Sequence, residues 1–161
     1  MNHYDLLIKN GRVHTAVESF EAEIGVSEGK INAIGQDLGI ADRVIDAEGM
    51  LVLPGGIDAH CHIEQESSTR IMTADDFYSG SVSAAFGGNT TFLPFAAQHR
   101  GQSLRDVVNT ARERARSKAV IDYGLHLIIS DPSEKVLEEE LPTLIEEGYT
   151  SFKVYMTYEM L

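Results

Sequence analysis

Two histidines, His60 and His62, stand one residue apart after a largely apolar run, in the segment GGIDAHCHIEQ (55–65). In an extended strand alternate side chains share a face, so both imidazoles would point one way and Cys61 the other. Imidazole is a common metal ligand, and two on one face could hold one ion. His-x-His is a short pattern, however, and two ordinary polar residues at the end of a strand would have the same spacing.

A lysine within an apolar segment is the second unusual feature. Lys153 lies between Phe152 and Val154 in SFKVYMTY (151–158), where an unpaired ammonium group would be costly to bury. The side chain could extend to the strand end or pair with a carboxylate. Alternatively, a desolvated amine becomes a nucleophile and can take up carbon dioxide. The resulting carbamate would be an anionic ligand with two oxygen atoms, able to bridge two metal ions beside the histidines.

The elements that must position these residues differ between residues 1–53 and residues 54–161. The first region is predicted to form short antiparallel strands with one side buried. Three turn signals separate these strands, at Asn10-Gly11, Ser27–Gly29 and Glu48-Gly49. After Pro54 strands alternate with helices, which is typical of parallel strands joined by crossover helices.

Four strands and three helices are predicted around and after Pro54. The strands are expected at residues 50–60, 90–96, 121–130 and 150–158. Each helix is expected to begin at a capping residue that an acidic residue follows three positions later; these caps are Thr73, Ser103 and Asp131. Pro142 indicates that the third helix is kinked or consists of two short pieces.

Four such strands would make half of an eight-stranded parallel barrel. The carboxyl ends of barrel strands meet at one face, where catalytic groups collect. His60 and His62 end the first of these strands, Lys153 lies on the fourth, and Tyr158 follows it in the loop over the same face. The topology therefore predicts that these residues converge.

Composition and charge exclude several classes of function. The chain has 161 residues and a formal net charge of −12, which argues against a nucleic-acid-binding surface. Its single cysteine excludes an internal disulfide and fits a reducing compartment. No segment is long and apolar enough to cross a membrane, and the N-terminus lacks the pattern of a signal peptide. We expect a cytoplasmic protein without nucleic-acid or membrane partners.

Five separated segments resemble those of one enzyme family, in the same order and approximate spacing: PGGIDAHCHIEQ, TADDFYSGS, GGNTTFLPFAAQ, DYGLHLIISDP and EGYTSFKVYMTYEML. The family comprises the dihydropyrimidinases and hydantoinases, cyclic-amide hydrolases of the amidohydrolase superfamily, and the chain looks most like the bacterial hydantoinase-type members. The resemblance covers essentially the whole chain. It implies an α/β fold in which residues 54–161 form about the first four βα units of a metal-dependent TIM barrel. This first half of a (β/α)8 barrel would be incomplete, and residues 1–53 would form part of a composite β-sandwich.

The resemblance also implies roles for four residues. His60 and His62 would bind the more buried of two divalent metal ions, usually zinc, and a carboxylated Lys153 would bridge both ions. Tyr158 would hydrogen-bond the oxyanion that forms when a hydroxide bridging the ions attacks the ring amide. A dihydropyrimidine or 5-substituted hydantoin ring would thereby open to an N-carbamoyl amino acid. The implied substrate is a small cyclic amide, and the family is commonly homotetrameric.

The family's complete centre needs groups that the resemblance assigns to later strands, namely two further histidines and a catalytic aspartate. We therefore expect the N-terminal part of a working enzyme. The alternatives are a truncated chain that is inactive at 161 residues and a non-catalytic scaffold relative. Among enzymes, allantoinase and dihydroorotase are the nearest competitors. Dihydroorotases typically carry an arginine just after His-x-His, where this chain has Ile63 and Glu64.

The remaining candidate residues have competing interpretations. Asp58 would either orient a ligand or be an acid satisfied by backbone amides. Cys61 is expected to pack, and residues 63–72 and 95–101 correspond to loops that line the substrate side-chain pocket in hydantoinases. The other histidines lack a comparable constellation, and the last of them is expected to be satisfied in the core: His3, His14, His99 and His126.

Overall fold

The structure is a computed structural model that describes residues 2–67 and 70–156. The described residues form two compact units, divided after Pro54. In this part of the chain, no helix combines the length and the apolar character needed to cross a membrane.

The first unit is a five-stranded sheet. Its strands are β1 (Asn2–His14), β2 (Ser19–Ser27), β3 (Lys30–Gly35), β4 (Gly39–Asp46) and β5 (Leu51–Val52). The strand order is β3-β2-β1-β4, and β5 pairs with the last residues of β1. Val13, Ala22 and Ile24 form its buried cluster.

The predicted hairpin at Asn10-Gly11 is wrong, because β1 runs through both residues. Three steps along β1, from Ile8 to Gly11, lie opposite two steps along β2, from Ile24 to Ala22. Asn10 takes up the extra residue with a φ of 56°. The left-handed conformation that suits asparagine in a tight turn also suits it in a bulge, so the dipeptide alone does not distinguish the two.

The prediction of antiparallel strands throughout this unit is also wrong in part. β2 pairs antiparallel with β1 and β3, but β4 and β5 run parallel to β1. Alternating burial reports only which face is covered and not the direction of the neighbouring strand. The other two turns are confirmed by positive φ values at Glu28, Gly29, Glu48 and Gly49.

The second unit confirms the predicted α/β arrangement with a parallel sheet. Its strands are β6 (Gly56–Cys61), β7 (Asn89–Ala97), β8 (Asp122–Tyr123), β9 (His126–Ile128) and β10 (Phe152–Lys153). The order is β10-β9-β7-β6, with β8 also beside β7, and every pair is parallel. Three predicted strands are thus shorter than expected: residues 50–60 divide into β5 and β6, residues 121–130 into β8 and β9, and β10 is the only described strand within 150–158.

The helices of this unit are α1 (Phe77–Phe86), α2 (Leu104–Arg116) and α3 (Leu141–Glu146), the last preceded by a π-helical turn (Val136–Glu140). Ser103 caps α2 as predicted. Asp76, and not Thr73, caps α1, because its side chain and that of Ser79 form a reciprocal capping box. The expected irregularity of the third helix is confirmed: residues 134–146 are helical without a break, and a π-helical turn stands directly before α3, in whose first turn Pro142 lies.

Asp131 is not the cap of the third helix, contrary to the prediction. Its carboxylate accepts the backbone N–H of Gly101 at 2.7 Å instead. Ser133 Oγ takes the capping contact, accepting the N–H of Val136 at 3.4 Å. The acid is therefore used to hold a loop after β7, a long-range contact that a local motif does not reveal.

Two buried clusters attach the helices to the parallel sheet. In the first, α2 and α3 meet β9 through Leu104, Leu127 and Leu144. In the second, Phe77 of α1 packs with Phe92 of β7. Both clusters lie on the helical faces of the sheet and hold its strands in register.

Candidate metal centre

A bulge interrupts β6 between Asp58 and Cys61 and includes the first of the two histidines, His60. Three steps along β6, from Asp58 to Cys61, lie opposite two steps along β7, from Phe92 to Pro94. Pro94 is fully buried and has no N–H to offer the sheet. The extra residue of β6 therefore lies where regular pairing is interrupted, and bulges of this kind re-aim side chains beside functional sites.

The imidazoles of His60 and His62 lie close together, as predicted, although His60 lies in the bulge and His62 follows the end of β6. Their ring centroids are 5.4 Å apart. Both rings contact Phe95 of β7: His62 stacks on it at 4.9 Å and 21°, and His60 meets it edge-on at 4.8 Å. The histidines are exposed, whereas Phe95 is buried. The buried phenyl ring therefore provides a common packing surface for the two imidazoles.

Lys153 reaches the same phenyl ring from β10. Its Nζ lies 4.5 Å from the centroid of Phe95 and 5.2 Å from that of Tyr155. The expectation of a fully buried lysine is wrong, because the residue is partly buried and its neighbours Phe152 and Val154 are exposed. The negative face of an aromatic ring stabilises an ammonium group, a partner that the sequence argument did not consider.

The loop that follows His62 is anchored on both sides. Gln65 Oε1 lies 2.7 Å from His62 Nδ1. The Glu64 carboxylate accepts from Lys118 Nζ at 2.9 Å and from the backbone N–H of Phe77 at 3.2 Å. These contacts tie the loop to the start of α1 and to the residues that follow α2.

His126 is satisfied within the protein, as predicted, but its place beside the site was not predicted. Its Nε2 donates to the carbonyl oxygen of Ala59 at 2.8 Å, and its Nδ1 contacts Ser151 Oγ at 2.5 Å. Its ring lies 5.0 Å from Phe95. The imidazole therefore links the residue before His60 to the residue before β10, and both of its nitrogens are in use.

Asp58 and Cys61 lie on either side of the bulge. Asp58 Oδ1 accepts the backbone N–H of His60 at 3.1 Å, which corresponds to the second of its two predicted roles. Cys61 packs against the cluster around Phe92, as expected. Burial raises the pKa of its thiol to about 11, the charge of Asp58 adds to this, and a hydrogen bond from the backbone of Leu93 opposes it.

Gln98 is a buried residue beside the site that was not predicted. It is 2% exposed, and its Oε1 accepts the backbone N–H groups of Ser130 and Asp131, each at 3.1 Å. Its Nε2 donates to the carbonyl of Gln102 at 2.8 Å. One buried amide therefore joins the loop after β7 to the loop after β9, at the same edge of the sheet as the histidines.

A cleft of about 400 Å³ adjoins His62. Two of its lining residues, Gln65 and Phe95, contact that histidine. The wall continues along the loops after β6 and β7 and along α2, and it includes Ile63, Phe77, His99 and Thr110. His3 and His14 belong to the first unit and contact Asp42 and Ser19 there.

The donors gathered on Phe95 fit part of a metal centre. Two imidazoles lie side by side, and the Lys153 amine approaches the same ring. In residues 2–67 and 70–156, no group of three or more His, Cys, Asp or Glu side chains is arranged to hold a metal ion. Lys153 or other groups would therefore have to complete the ligand set. Tyr158 lies outside the described residues.

The known proteins most similar to this chain in sequence and in structure include hydantoinases and dihydropyrimidinases. The D-hydantoinase of Geobacillus stearothermophilus is 46% identical over 154 residues, which are 95% of this chain and 32% of that protein. The dihydropyrimidinase of Rattus norvegicus is 38% identical over 164 residues, 97% of this chain and 31% of that protein. A solved D-hydantoinase structure superposes with a TM-score of 0.91 at 46% identity, covering 96% of this chain and 34% of the other. No family model matches the chain. The chain spans about a third of the length of the curated relatives it matches.

Proposed function

We propose that this chain, which is homologous to the hydantoinases and dihydropyrimidinases over 95% of its length, supplies part of the metal centre of a cyclic amidohydrolase. The reaction is hydrolysis of the ring amide of a dihydropyrimidine or a 5-substituted hydantoin. The products are N-carbamoyl amino acids. The expected resemblance to this family is confirmed, and the activity of the whole protein is the proposal.

One observation carries the proposal: His60, His62 and Lys153 come from opposite edges of the described parallel sheet and meet at one buried phenyl ring. Ordinary polar residues at strand ends would not need to pack against the same aromatic ring. Two imidazoles on that ring present nitrogen donors that zinc prefers. Lys153 contacts the same ring, and its carboxylate would add two oxygen donors.

The lysine gains that carboxylate by addition of its neutral amine to carbon dioxide. A nitrogen–carbon bond forms, a proton is lost, and the product is a carbamate anion with two oxygen donors. We propose that His60 and His62 hold one of two divalent cations, with zinc as the metal, and that carboxylated Lys153 is shared by both. When bound, the cations supply an activated water and polarise the ring carbonyl.

The cleft beside His62 is the proposed site of the substrate's side chain. It is bordered by residues from 63–72 and 95–101, the two stretches that correspond to pocket-lining loops in hydantoinases. Phe77 and Phe95 offer apolar contacts to a hydrocarbon substituent, and Glu64, Asp106 and Arg114 add charged groups to the lining. We retain for Tyr158 the proposed role of donating a hydrogen bond to the oxyanion that develops on the ring.

Oligomeric state and location complete the proposal. A homotetramer rests on the family resemblance, and a cytoplasmic location on the single, unpaired cysteine, Cys61. A scaffold relative would have no need for the His60, His62 and Lys153 set. Ile63 and Glu64, where dihydroorotases typically carry an arginine, favour a ring without a carboxylate substituent.

The test is hydrolysis of dihydrouracil and of a 5-substituted hydantoin by the whole protein, with zinc content measured on the same samples. We expect ring opening in the wild type and its loss in His60→Asn and His62→Asn, together with the loss of bound zinc. His14→Asn, which changes a histidine of the first unit, is the matched control and should behave as the wild type. Zinc-loaded protein that opens neither ring would refute the proposed activity.

A further inference from the structure

The contact between Gln65 and His62 constrains the state of the imidazole. Gln65 Oε1 lies 2.7 Å from His62 Nδ1. An amide oxygen only accepts hydrogen bonds, so this contact is a hydrogen bond when Nδ1 carries the hydrogen. A neutral imidazole has one N–H, which leaves the lone pair on Nε2. That nitrogen is then the one available to a metal ion.

We infer that Gln65 is a positioning residue that fixes this tautomer of His62 and orients its ring for metal binding. The inference rests on the proposed function. Histidine ligands of metals commonly donate their second N–H to a carboxylate or carbonyl group, and removal of that partner weakens metal affinity by about 10–100-fold. Gln65 supplies such a carbonyl from only three residues further along the chain.

Gln65 can serve this purpose because its own backbone is held. Its N–H donates to Thr73 Oγ1 at 3.1 Å, and its carbonyl accepts the N–H of Thr73 at 3.0 Å. The preceding residue, Glu64, is fixed by Lys118. Gln65 is partly buried and lines the cleft. These restraints reduce the entropy that the side chain loses when it bonds the imidazole.

The stacking of His62 on Phe95 acts together with this hydrogen bond. Stacking at an interplanar angle of 21° fixes the plane of the imidazole but leaves both flipped orientations of the ring in contact with the phenyl face. The acceptor on Gln65 distinguishes the two orientations, because only one places an N–H beside Oε1. Orientation within the plane is therefore the specific contribution of Gln65.

Three variants of the whole protein test the inference. Gln65→Leu keeps the approximate volume and removes the acceptor, whereas Gln65→Glu keeps an acceptor at the same reach. Thr73→Val removes the hydroxyl that holds the loop without touching His62, and it is the matched control for loop order. The readouts are the His62 tautomer in metal-free protein, from 15N–1H spectra of histidine-labelled samples, and the zinc affinity, from competition with a chelator.

We expect the wild type and Gln65→Glu to show the Nδ1–H form of His62. Gln65→Leu should lose the preference for that form and bind zinc about 10–100-fold more weakly, while Thr73→Val should keep the Nδ1–H form and weaken zinc binding less than Gln65→Leu does. An Nε2–H form in the wild type would overturn the inference, and so would unchanged tautomer and affinity in Gln65→Leu. Equal weakening in Thr73→Val and Gln65→Leu would also overturn it, since loop order would then explain both.

The same samples separate this inference from the proposed function. If His62→Asn binds zinc as the wild type does, the proposed function fails, because His62 is not a ligand. If His62→Asn loses zinc but Gln65→Leu does not, only the role of Gln65 fails. The tautomer measurement needs no metal, and it therefore reports on Gln65 in either case.

Discussion

The phenyl ring of Phe95 lies under the imidazole of His62, with the two ring centroids 4.9 Å apart and the planes inclined by 21°. The same ring meets His60, His126 and the ammonium group of Lys153. Residues from β6, β9 and β10 thus share one contact on β7. The candidate centre is organised around an apolar side chain that takes no part in the proposed chemistry.

Truncation of this ring should destabilise the second unit and separate the candidate ligands. Phe95→Ala removes a side chain that is 8% exposed, and we expect a loss of about 3–5 kcal/mol in the free energy of unfolding. Urea unfolding of the metal-free whole protein measures it. Phe86→Ala, at a phenyl group that is 91% exposed, is the control and should change the value by less than about 0.5 kcal/mol. Equal effects of the two variants would contradict the role of Phe95.

Removal of the lysine side chain should abolish the shared ligand. We expect Lys153→Ala to lose bound zinc and ring-opening activity, because no carbamate can form. A small carboxylate such as acetate should restore part of both, since it can occupy the vacated position as an anionic ligand. Metal analysis and turnover with and without acetate measure this. Normal zinc content and turnover in the variant would exclude a bridging role for Lys153.

Loss of the buried amide of Gln98 should loosen the loops after β7 and β9. Gln98→Leu leaves the N–H groups of Ser130 and Asp131 and the carbonyl of Gln102 without this partner. Unsatisfied buried groups cost about 1–3 kcal/mol each, so we expect a decrease of at least about 2 kcal/mol in the free energy of unfolding. The exposed Gln36→Leu is the control. A Gln98→Leu protein as stable as this control would show that the loops are held by other contacts.

Glu140 should make the stability of the second unit sensitive to acid. Burial tends to raise the pKa of this carboxyl, but hydrogen bonds from the backbone of Arg105 and from Ser103, Lys135 and Leu104 outweigh it and lower the pKa below its ordinary value of 4.5. A lowered pKa stabilises the folded state above the unfolded pKa, and this contribution is lost as the pH falls through the folded value. Glu140→Gln should therefore be less stable at pH 7 and lose less stability on acidification.

Urea unfolding between pH 3 and pH 7 measures this difference. Glu139→Gln, at the exposed neighbouring position, is the control and should follow the wild type. Parallel pH profiles for the wild type and Glu140→Gln would contradict the assignment.

The sequence predicted those features that depend on local pattern. The cap at Ser103, the irregular helix before Pro142 and the shared side of His60 and His62 agree with what spacing and chain geometry predict. The parallel pairing of β4 and β5 with β1 was not predicted, because alternation of apolar and polar residues does not indicate the direction of the neighbouring strand. Asn-Gly is compatible with both a hairpin turn and a bulge, so the predicted hairpin at Asn10-Gly11 was wrong and a bulge is found there.

Features that depend on long-range contacts were not predicted. Phe95 reads as an ordinary core residue until the sheet order places it between β6 and β9. Gln98 and His126 read as isolated polar residues for the same reason, since their partners lie at least 25 positions away in the chain for the bonds that define them. Lys153 was singled out because of its apolar neighbours, although the structure gives it an aromatic partner and only partial burial.

The most direct test of the central claim is anomalous diffraction at the zinc edge from crystals of the whole, zinc-loaded protein. The account predicts an anomalous peak about 2.0–2.1 Å from an imidazole nitrogen of both His60 and His62. It also predicts electron density for a carboxylate continuing from Lys153 Nζ. A zinc peak remote from these two histidines, or an unmodified Lys153 beside a fully occupied site, would contradict it.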